Sequence, residues 1–336
     1  MLDQTTIQTE IKSPYLTGTK IQYAWDSTSL GLIKTCPRLY QYTMLDGWSP
    51  KGESVHLRFG QEYHKALEDY DILTLQEGLD REEAIRETVL RVLQRVQGWE
   101  VDRSSRAGKY KNRETLVGLI LDYFDHYSPD PAATVIREDG RPAVELSFRF
   151  ELDWGPKAGM IAKSERDDTY LVPGQPYLLS GHLDRVVEYN GELFVMDRKT
   201  TTTTLGPYYF DQYSPNNQMT LYTIASRVIL SAPIKGVIID AAQILLEKPN
   251  HFQRGLTYRT DDQTNEWIDD LQYWFSLAEQ FATNNYWPMN DTACDKFGGC
   301  RFRGICAKSP QVRETFLKAE FEKLEESERW NPLKPR

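Results

Sequence analysis

The stretch Leu178-Leu-Ser-Gly-His-Leu-Asp-Arg-Val-Val-Glu-Tyr-Asn-Gly-Glu-Leu-Phe-Val-Met-Asp-Arg-Lys199 decides the fold. Two runs, Leu178–Glu188 and Glu192–Lys199, read as strands and flank Asn190-Gly191. An Asn-Gly pair suits the left-handed backbone of a two-residue turn, so the runs are predicted to form an antiparallel hairpin. Tyr189 then pairs with Glu192, and stepping outward Asp184 faces Asp197 while His182 faces Lys199. Because side chains alternate between the two faces of a strand, Asp184, Asp197 and Lys199 share one face.

Outward from the hairpin, Ser27 to Tyr127 reads as helical, with apolar spacing over Leu57–Leu73, Arg81–Val96 and Glu114–Tyr127. Val144–Phe150 alternates like a further strand. Downstream, Ser214-Pro215 reads as the N-cap and first-turn proline of a helix over about Asn216–Leu230. Ile234–Leu246 reads as a strand, Asp262–Ala282 as a helix and Gln311–Arg329 as a charged terminal helix. No internal repeat or low-complexity linker interrupts this order. The expectation is an α/β chain with a small mixed sheet flanked by helices. It is read as a single domain over 1–336, with a helical part at 1–135, the core at 136–250 and a helical, cysteine-bearing part at 251–336.

Two carboxylates directly opposed on a sheet lie about 4.5–5.5 Å apart at Cβ and repel. A divalent cation between them reverses the sign of that interaction. Aspartate oxygens suit Mg²⁺ or Mn²⁺, ions that also bind phosphate and assist phosphodiester hydrolysis. A lysine beside them would orient the attacking water or stabilise charge on the phosphoryl oxygens. Taken alone, Asp-x-Lys reads first as a surface hairpin with a salt bridge.

Its neighbours narrow the choice. Gly60-Gln-Glu-Tyr-His64, Gly181-His-Leu-Asp184, Asp197-Arg-Lys199 and Gln218-Met-Thr-Leu-Tyr222 occur in that order. Together they resemble the RecB-like branch of the PD-(D/E)XK nucleases, which have a restriction-endonuclease-like core. The resemblance implies that His64, Asp184 and Asp197 bind the catalytic Mg²⁺ or Mn²⁺ and that Lys199 is catalytic. It places Gln218 and Tyr222, which share one helix face, beside the active site, contacting nucleic acid or orienting catalytic groups. Glu145 and His182 are further polar residues near these strands, each equally explained as an outward or lining group.

The chain has four cysteines, Cys36, Cys294, Cys300 and Cys306. In a reducing compartment clustered cysteines favour metal over disulfides. One early and three late cysteines resemble the iron–sulfur staple of some RecB-like nucleases, including AddB subunits and CRISPR-associated relatives. The resemblance implies a structural [4Fe–4S] cluster, with a four-thiolate zinc site as the alternative. The spacing of five residues between each late pair departs from the family's more usual two and then five.

The formal net charge of −9 does not suit a general DNA-coating protein. Local steering remains open through Arg103, Arg106, Lys109, Lys111 and Arg113, a stretch without acids that is read as a phosphate-contacting or simply solvated loop. No apolar run reaches bilayer-spanning length, and the polar start MLDQTTIQTEIKSPYL lacks signal-peptide character, so a cytoplasmic protein is expected. No helicase P-loop occurs, so any unwinding would come from a helicase or recombination partner or be unnecessary. The sequence thus points to a metal-dependent deoxyribonuclease, with an exonuclease favoured, acting on single strands or free ends in repair, recombination or viral DNA processing. The competing class is a non-catalytic DNA-binding or assembly subunit that keeps the fold; sequence-specific restriction and an RNA substrate are further alternatives.

Overall fold

The computed structural model describes residues 13–156, 161–163, 169–171, 175–295 and 299–334. Most of the N-terminal stretch read for a leader, residues 1–12, lies outside these. In chain order the elements begin with β1 (Ala24–Trp25), α1 (Ser27–Thr35), α2 (Pro37–Tyr40), β2 (Trp48–Pro50), α3 (Val55–Leu75) and α4 (Arg81–Arg95). They continue with α5 (Arg106–Tyr110), α6 (Arg113–His126), β3 (Ala133–Thr134), β4 (Val144–Glu151), β5 (Ile161–Lys163) and β6 (Thr169–Leu171). The hairpin strands are β7 (Leu178–Tyr189) and β8 (Glu192–Thr201), followed by α7 (Pro207–Asp211), α8 (Asn217–Leu230), β9 (Ile234–Gln243) and β10 (His251–Tyr258). Last come α9 (Asp261–Thr283), α10 (Arg303–Cys306), α11 (Arg313–Glu320) and β11 (Phe321–Lys323). The class is mixed α/β, with a central mixed sheet flanked by helices.

The chain divides into two compact units, each built from separate segments. One comprises Gly52–Phe148 and His182–Trp267; the other comprises Met1–Lys51, Arg149–Gly181 and Ile268–Arg336. In the first, β7 and β8 pair antiparallel in the predicted register, from Tyr189↔Glu192 to Arg185↔Met196. Asn190 and Gly191 both have positive φ, 53° and 77°, the backbone that a type I′ turn requires. β8 then runs parallel to β9, pairing Asp197 with Ile239 and Lys199 with Ala241. The helix α8 lies on the crossover between these parallel strands, as such pairs demand. β10, which the sequence reading did not separate from the loop after β9, pairs antiparallel with β9.

Helices α3, α4 and α6 bury a shared apolar stripe that includes Phe59, Tyr63, Leu67, Val92, Leu119 and Ile120, packed with Ala242, Ile244 and Phe252. The stripe follows helical spacing, which is why these three helices were legible in sequence. Ser54 caps α3 by accepting from the Leu57 N–H. The cap of α8 is not Ser214 as expected: Asn216 accepts from the Gln218 and Met219 N–H groups. Both are capping residues, and the one nearer the first turn wins because its oxygen reaches two free N–H groups.

A chain of buried charges also runs through this unit. Asp71 of α3 meets Arg198 at 2.6 Å, and Arg185 bonds Asp130 at 3.1 Å. Arg254 joins Asp130, at 2.6 Å, to Asp240, at 3.2 Å. Buried charges are tolerable when paired in this way.

In the second unit β1 pairs in parallel with Leu178 and Leu179 at the start of β7. Trp25 stacks on Phe275, ring centroids 4.7 Å apart, and Tyr177 packs on the same ring. The expected long terminal helix is cut short at Glu320. Phe321–Lys323 instead pairs as a strand with Trp48–Pro50, and the Phe321 ring stacks on Phe302 at 4.7 Å. Beyond Phe321 the sequence Glu-Lys-Leu-Glu-Glu-Ser-Glu-Arg offers almost nothing apolar to bury, so continued helix would gain little.

Candidate active site

The hairpin, α3 and α8 bring the residues of all four motifs into one site. Asp184 is buried where the β7–β8 pairing ends, next to Arg185, and Asp197 follows on β8. The like-charge opposition expected from the register is relieved by a local change. The Asp184 Oδ2 accepts the Arg198 backbone N–H at 2.9 Å, a side-chain bond to the partner strand. The same oxygen lies 3.2 Å from Nδ1 of His64, which α3 carries in.

Lys199 Nζ lies 2.9 Å from Asp197 Oδ1 and 2.7 Å from Oδ2. It donates to Oδ1, whereas the buried Oδ2 accepts no well-directed hydrogen bond among the described residues. The ammonium also donates to Gln218 Oε1 at 3.3 Å, and Gln218 Nε2 donates to the Tyr222 hydroxyl at 2.9 Å. A polar chain thus runs from Asp197 through Lys199 and Gln218 to Tyr222. The four-residue separation of Gln218 and Tyr222 on α8 is what lets these side chains meet.

The two carboxylates are driven apart electrostatically. Burial pushes Asp184 up, but the His64 ring, Lys199 and the Arg198 N–H more than reverse it, so its carboxyl lies well below the ordinary 3.8. Burial also pushes Asp197 up; Lys199 opposes this and Asp184 adds to it, leaving the carboxyl above 3.8. Lys199 is pulled down by burial, yet Asp197 and Asp184 hold it above its usual value. One acid is therefore firmly ionised, and the other is short of positive charge despite its lysine.

The donor types fit a divalent cation: two carboxylates, one with an oxygen lacking a hydrogen bond, and an imidazole beside them. Their arrangement is not a finished cage. Among the described residues no three or more His, Cys, Asp or Glu side chains are grouped so as to hold a metal ion, and His64 and Asp184 bond each other.

Other predicted residues fall elsewhere. His182 Nδ1 shares a hydrogen bond of 2.8 Å with Ser147 Oγ. Glu145 lies on β4 with a left-handed backbone, φ 49°. The cationic stretch is partly the helix α5. Arg103 pairs with Glu114, and Arg113 lies 3.6 Å from Glu100. Lys111 is buried over the Phe59 ring, and burial lowers its pKa. Arg106 and Lys109 remain exposed.

In the other unit, Cys36 is buried and its sulfur accepts the Asn290 N–H at 3.3 Å. The Cys300 N–H bonds the Cys294 carbonyl at 2.8 Å. Burial raises the Cys294 thiol, and the neighbouring Cys300 and Cys36 raise it further. Burial likewise raises Cys306, with Cys300 and Cys36 again contributing and Arg38 and Arg313 opposing. Cys294 and Cys306 thus each lie within the field of Cys300 and Cys36, though among the described residues no three of them are grouped so as to hold a metal ion.

Sequence reasoning missed Asp71 and Arg198, the buried pair behind the site. The signal was available: Asp71 follows His64 by seven residues on the same helix face, and Arg198 must point opposite to its neighbours. It also missed Tyr209, whose phenol, raised by burial, lies within the field of Lys199 and Asp197.

No curated protein matches the sequence. Among solved structures, one from Eubacterium rectale described as a candidate exonuclease aligns at 11% identity with a TM-score of 0.44, covering 82% of this chain and 86% of that one. The sequence profile of the PD-(D/E)XK nuclease superfamily matches residues 27–307, a span that holds His64, the whole hairpin and α8. With that match over most of its length, the chain belongs to the PD-(D/E)XK nuclease superfamily.

Proposed function

We propose that this nuclease is a Mg²⁺- or Mn²⁺-dependent DNA exonuclease of the RecB-like branch, working on single strands or free ends in the cytoplasm. Repair, recombination or viral DNA processing are its settings, and a helicase or recombination protein is the partner that would expose the strand. PD-(D/E)XK nucleases generally use divalent metals. The observation that carries the reading is Lys199, held between Asp197 and Gln218 beside a buried carboxylate oxygen without a hydrogen bond.

Asp184 and Asp197 would hold the ion, with His64 turning from Asp184 to complete the set. The ion supplies neutralisation of the two carboxylates and polarisation of a phosphoryl oxygen. Lys199, kept charged by both aspartates, supplies positive charge beside the reacting phosphate. Gln218 holds the ammonium in place from the opposite side and is itself anchored by Tyr222. Burial of Asp197 and Asp184 keeps these interactions strong by excluding water.

The test of end dependence compares linear DNA with a covalently closed single-stranded circle of the same sequence, in Mn²⁺ or Mg²⁺. Linear strands are expected to shorten progressively while the circle survives. Discrete fragments from the circle would replace the exonuclease with an internal cutter.

The same proposal assigns Cys36, Cys294, Cys300 and Cys306 to a structural [4Fe–4S] cluster or, alternatively, a zinc site. Support comes from the Cys294 and Cys306 thiols, each raised by burial and by Cys300 and Cys36, a cost that a cation removes. Cys36→Ser is expected to lose bound metal and, for the cluster, brown colour when purified without oxygen. Its melting temperature should drop by several degrees. Unchanged metal content and melting would remove the staple from the proposal.

A further inference from the structure

One buried cation of the nuclease unit is held by neutral groups alone. Arg259, one residue past β10, is 7% exposed, and its guanidinium donates only to hydroxyl and carbonyl oxygens. Arg185, Arg198 and Arg254 of the same unit each meet an aspartate instead. A buried charge is costly unless it is compensated. This one also bonds the first turn of α8, where the helix dipole is itself positive. Its charge therefore gains the fold little. What the guanidinium does supply is a planar fork of donors that can reach several segments at once.

The fork joins three segments around the start of α8. Nη2 donates to the Tyr213 carbonyl at 2.8 Å, just ahead of the Asn216 cap. Nε donates to the Thr220 hydroxyl at 2.9 Å, in the first turn of the helix. Nη1 donates to the Thr257 hydroxyl and the Tyr258 carbonyl of β10, both at 2.7 Å. The two hydroxyls extend the hold: Thr257 donates to the Tyr213 carbonyl at 3.2 Å and Thr220 to the Asn216 carbonyl at 3.0 Å. Asn216 in turn accepts the Gln218 N–H at 3.0 Å. Toward the other end of α8, Arg227 donates to the Arg259 carbonyl at 3.3 Å. At about 3.6 residues per turn, Thr220 lies on the helix face opposite Gln218 and Tyr222. Arg259 thus grips the back of the helix whose front reaches Lys199.

We infer that Arg259 is a positioning residue for cleavage, acting through α8 to hold the Gln218 side chain against Lys199. This rests on the nuclease reading of that site. The guanidinium's partners are Tyr213, Thr220, Thr257 and Tyr258, so its influence reaches the reacting groups by way of the helix. The Gln218–Lys199 bond is 3.3 Å, already long, so a small displacement of α8 breaks it. Lysine at position 259 would keep the charge, but a single ammonium cannot span the three segments that the fork joins.

The test uses the full chain, with kcat and KM read on single-stranded oligothymidine in Mn²⁺ well below the melting temperature. Arg259→Lys is expected to lower kcat roughly 10- to 100-fold, the scale of a small misplacement of a reacting group, with KM held within about twofold. In a Gln218→Ala background the same substitution should change kcat by less than about twofold, because the group it positions is already gone. Thr220→Val, which removes one acceptor of the fork and keeps the side-chain shape, should show the same pattern more weakly and serves if Arg259→Lys does not fold. A reading without turnover accompanies these: the Gln218 side-chain amide resonance, assigned by its loss in Gln218→Ala, should shift in Arg259→Lys and in Thr220→Val. Native kcat in Arg259→Lys would overturn the inference, as would full losses that multiply in the Gln218→Ala background or an amide resonance that stays in place. A native protein that never cleaves would sink the nuclease reading, while the amide resonance still decides whether Arg259 positions Gln218.

Discussion

Lys199→Ala is expected to lower the cleavage rate by roughly 10²–10³-fold, the cost of removing one pre-positioned group that faces developing charge. KM should change little, because a group that acts mainly in the transition state takes kcat with it when removed. The fold should survive: Lys199 is only partly buried, and its partners are Asp197 and Gln218 at the edge of the site. A second signature follows from electrostatics. With Lys199 gone, burial and Asp184 act on Asp197 against His64 alone, so its carboxyl, already above 3.8, rises further. A raised carboxyl ionises only at higher pH, so any residual activity should have its acid limb moved upward. Lys199→Arg should not rescue, since a planar guanidinium cannot take the position of an ammonium 2.7 Å from Asp197 and 3.3 Å from Gln218 at once. Full activity in Lys199→Ala would place the reacting centre elsewhere.

Asp71→Ala should be the most destabilising single change near the site. It leaves the Arg198 guanidinium, 2% exposed, buried without its anion. Breaking a buried pair by removing one partner costs about 3–5 kcal/mol. For a unit of this size that corresponds to a fall of roughly 10 °C in melting temperature. Replacing both partners, Asp71→Leu with Arg198→Met, should recover most of the loss, because no uncompensated charge then remains. Arg198 also donates its N–H to Asp184, and Asp71 shares α3 with His64, so the single variant should lose activity along with stability. An Asp71→Ala protein that melts with the native one would show that Arg198 finds another anion.

The hairpin was legible because a two-residue turn fixes register, and register fixes faces. Asn190-Gly191 specified every pair from Tyr189↔Glu192 to Arg185↔Met196. The same logic gathered Asp184, Asp197 and Lys199, and the i,i+4 spacing on α8 foretold the Gln218–Tyr222 contact. What alternation could not supply was the end of the ladder. Two opposed carboxylates were expected to face one another, and Asp184 instead takes a backbone N–H from Arg198. Local competition between side chain and backbone is invisible to a period-two pattern.

Elsewhere the misses share a cause. The terminal helix Gln311–Arg329 was read from charge and spacing, but Phe321 finds better burial on Phe302 as part of a strand. Tertiary packing overrides propensity when the helix has no apolar face left to offer. Likewise Lys111 reads as part of a phosphate-contacting or solvated loop, whereas it is covered by its contact with Phe59. Long side chains can bury their stems, so a run of basic residues does not by itself map an electropositive surface.

The most direct measurement purifies the protein without oxygen and incubates it with end-labelled single- and double-stranded DNA in Mn²⁺ or Mg²⁺, beside Asp197→Ala and beside EDTA. Cleavage by the native protein alone, abolished by chelation and by the substitution, is the expected result, with a product ladder that gives the direction of digestion. Intact native protein that binds DNA tightly and cuts it under none of these metals would contradict it, leaving a non-catalytic subunit on a nuclease fold.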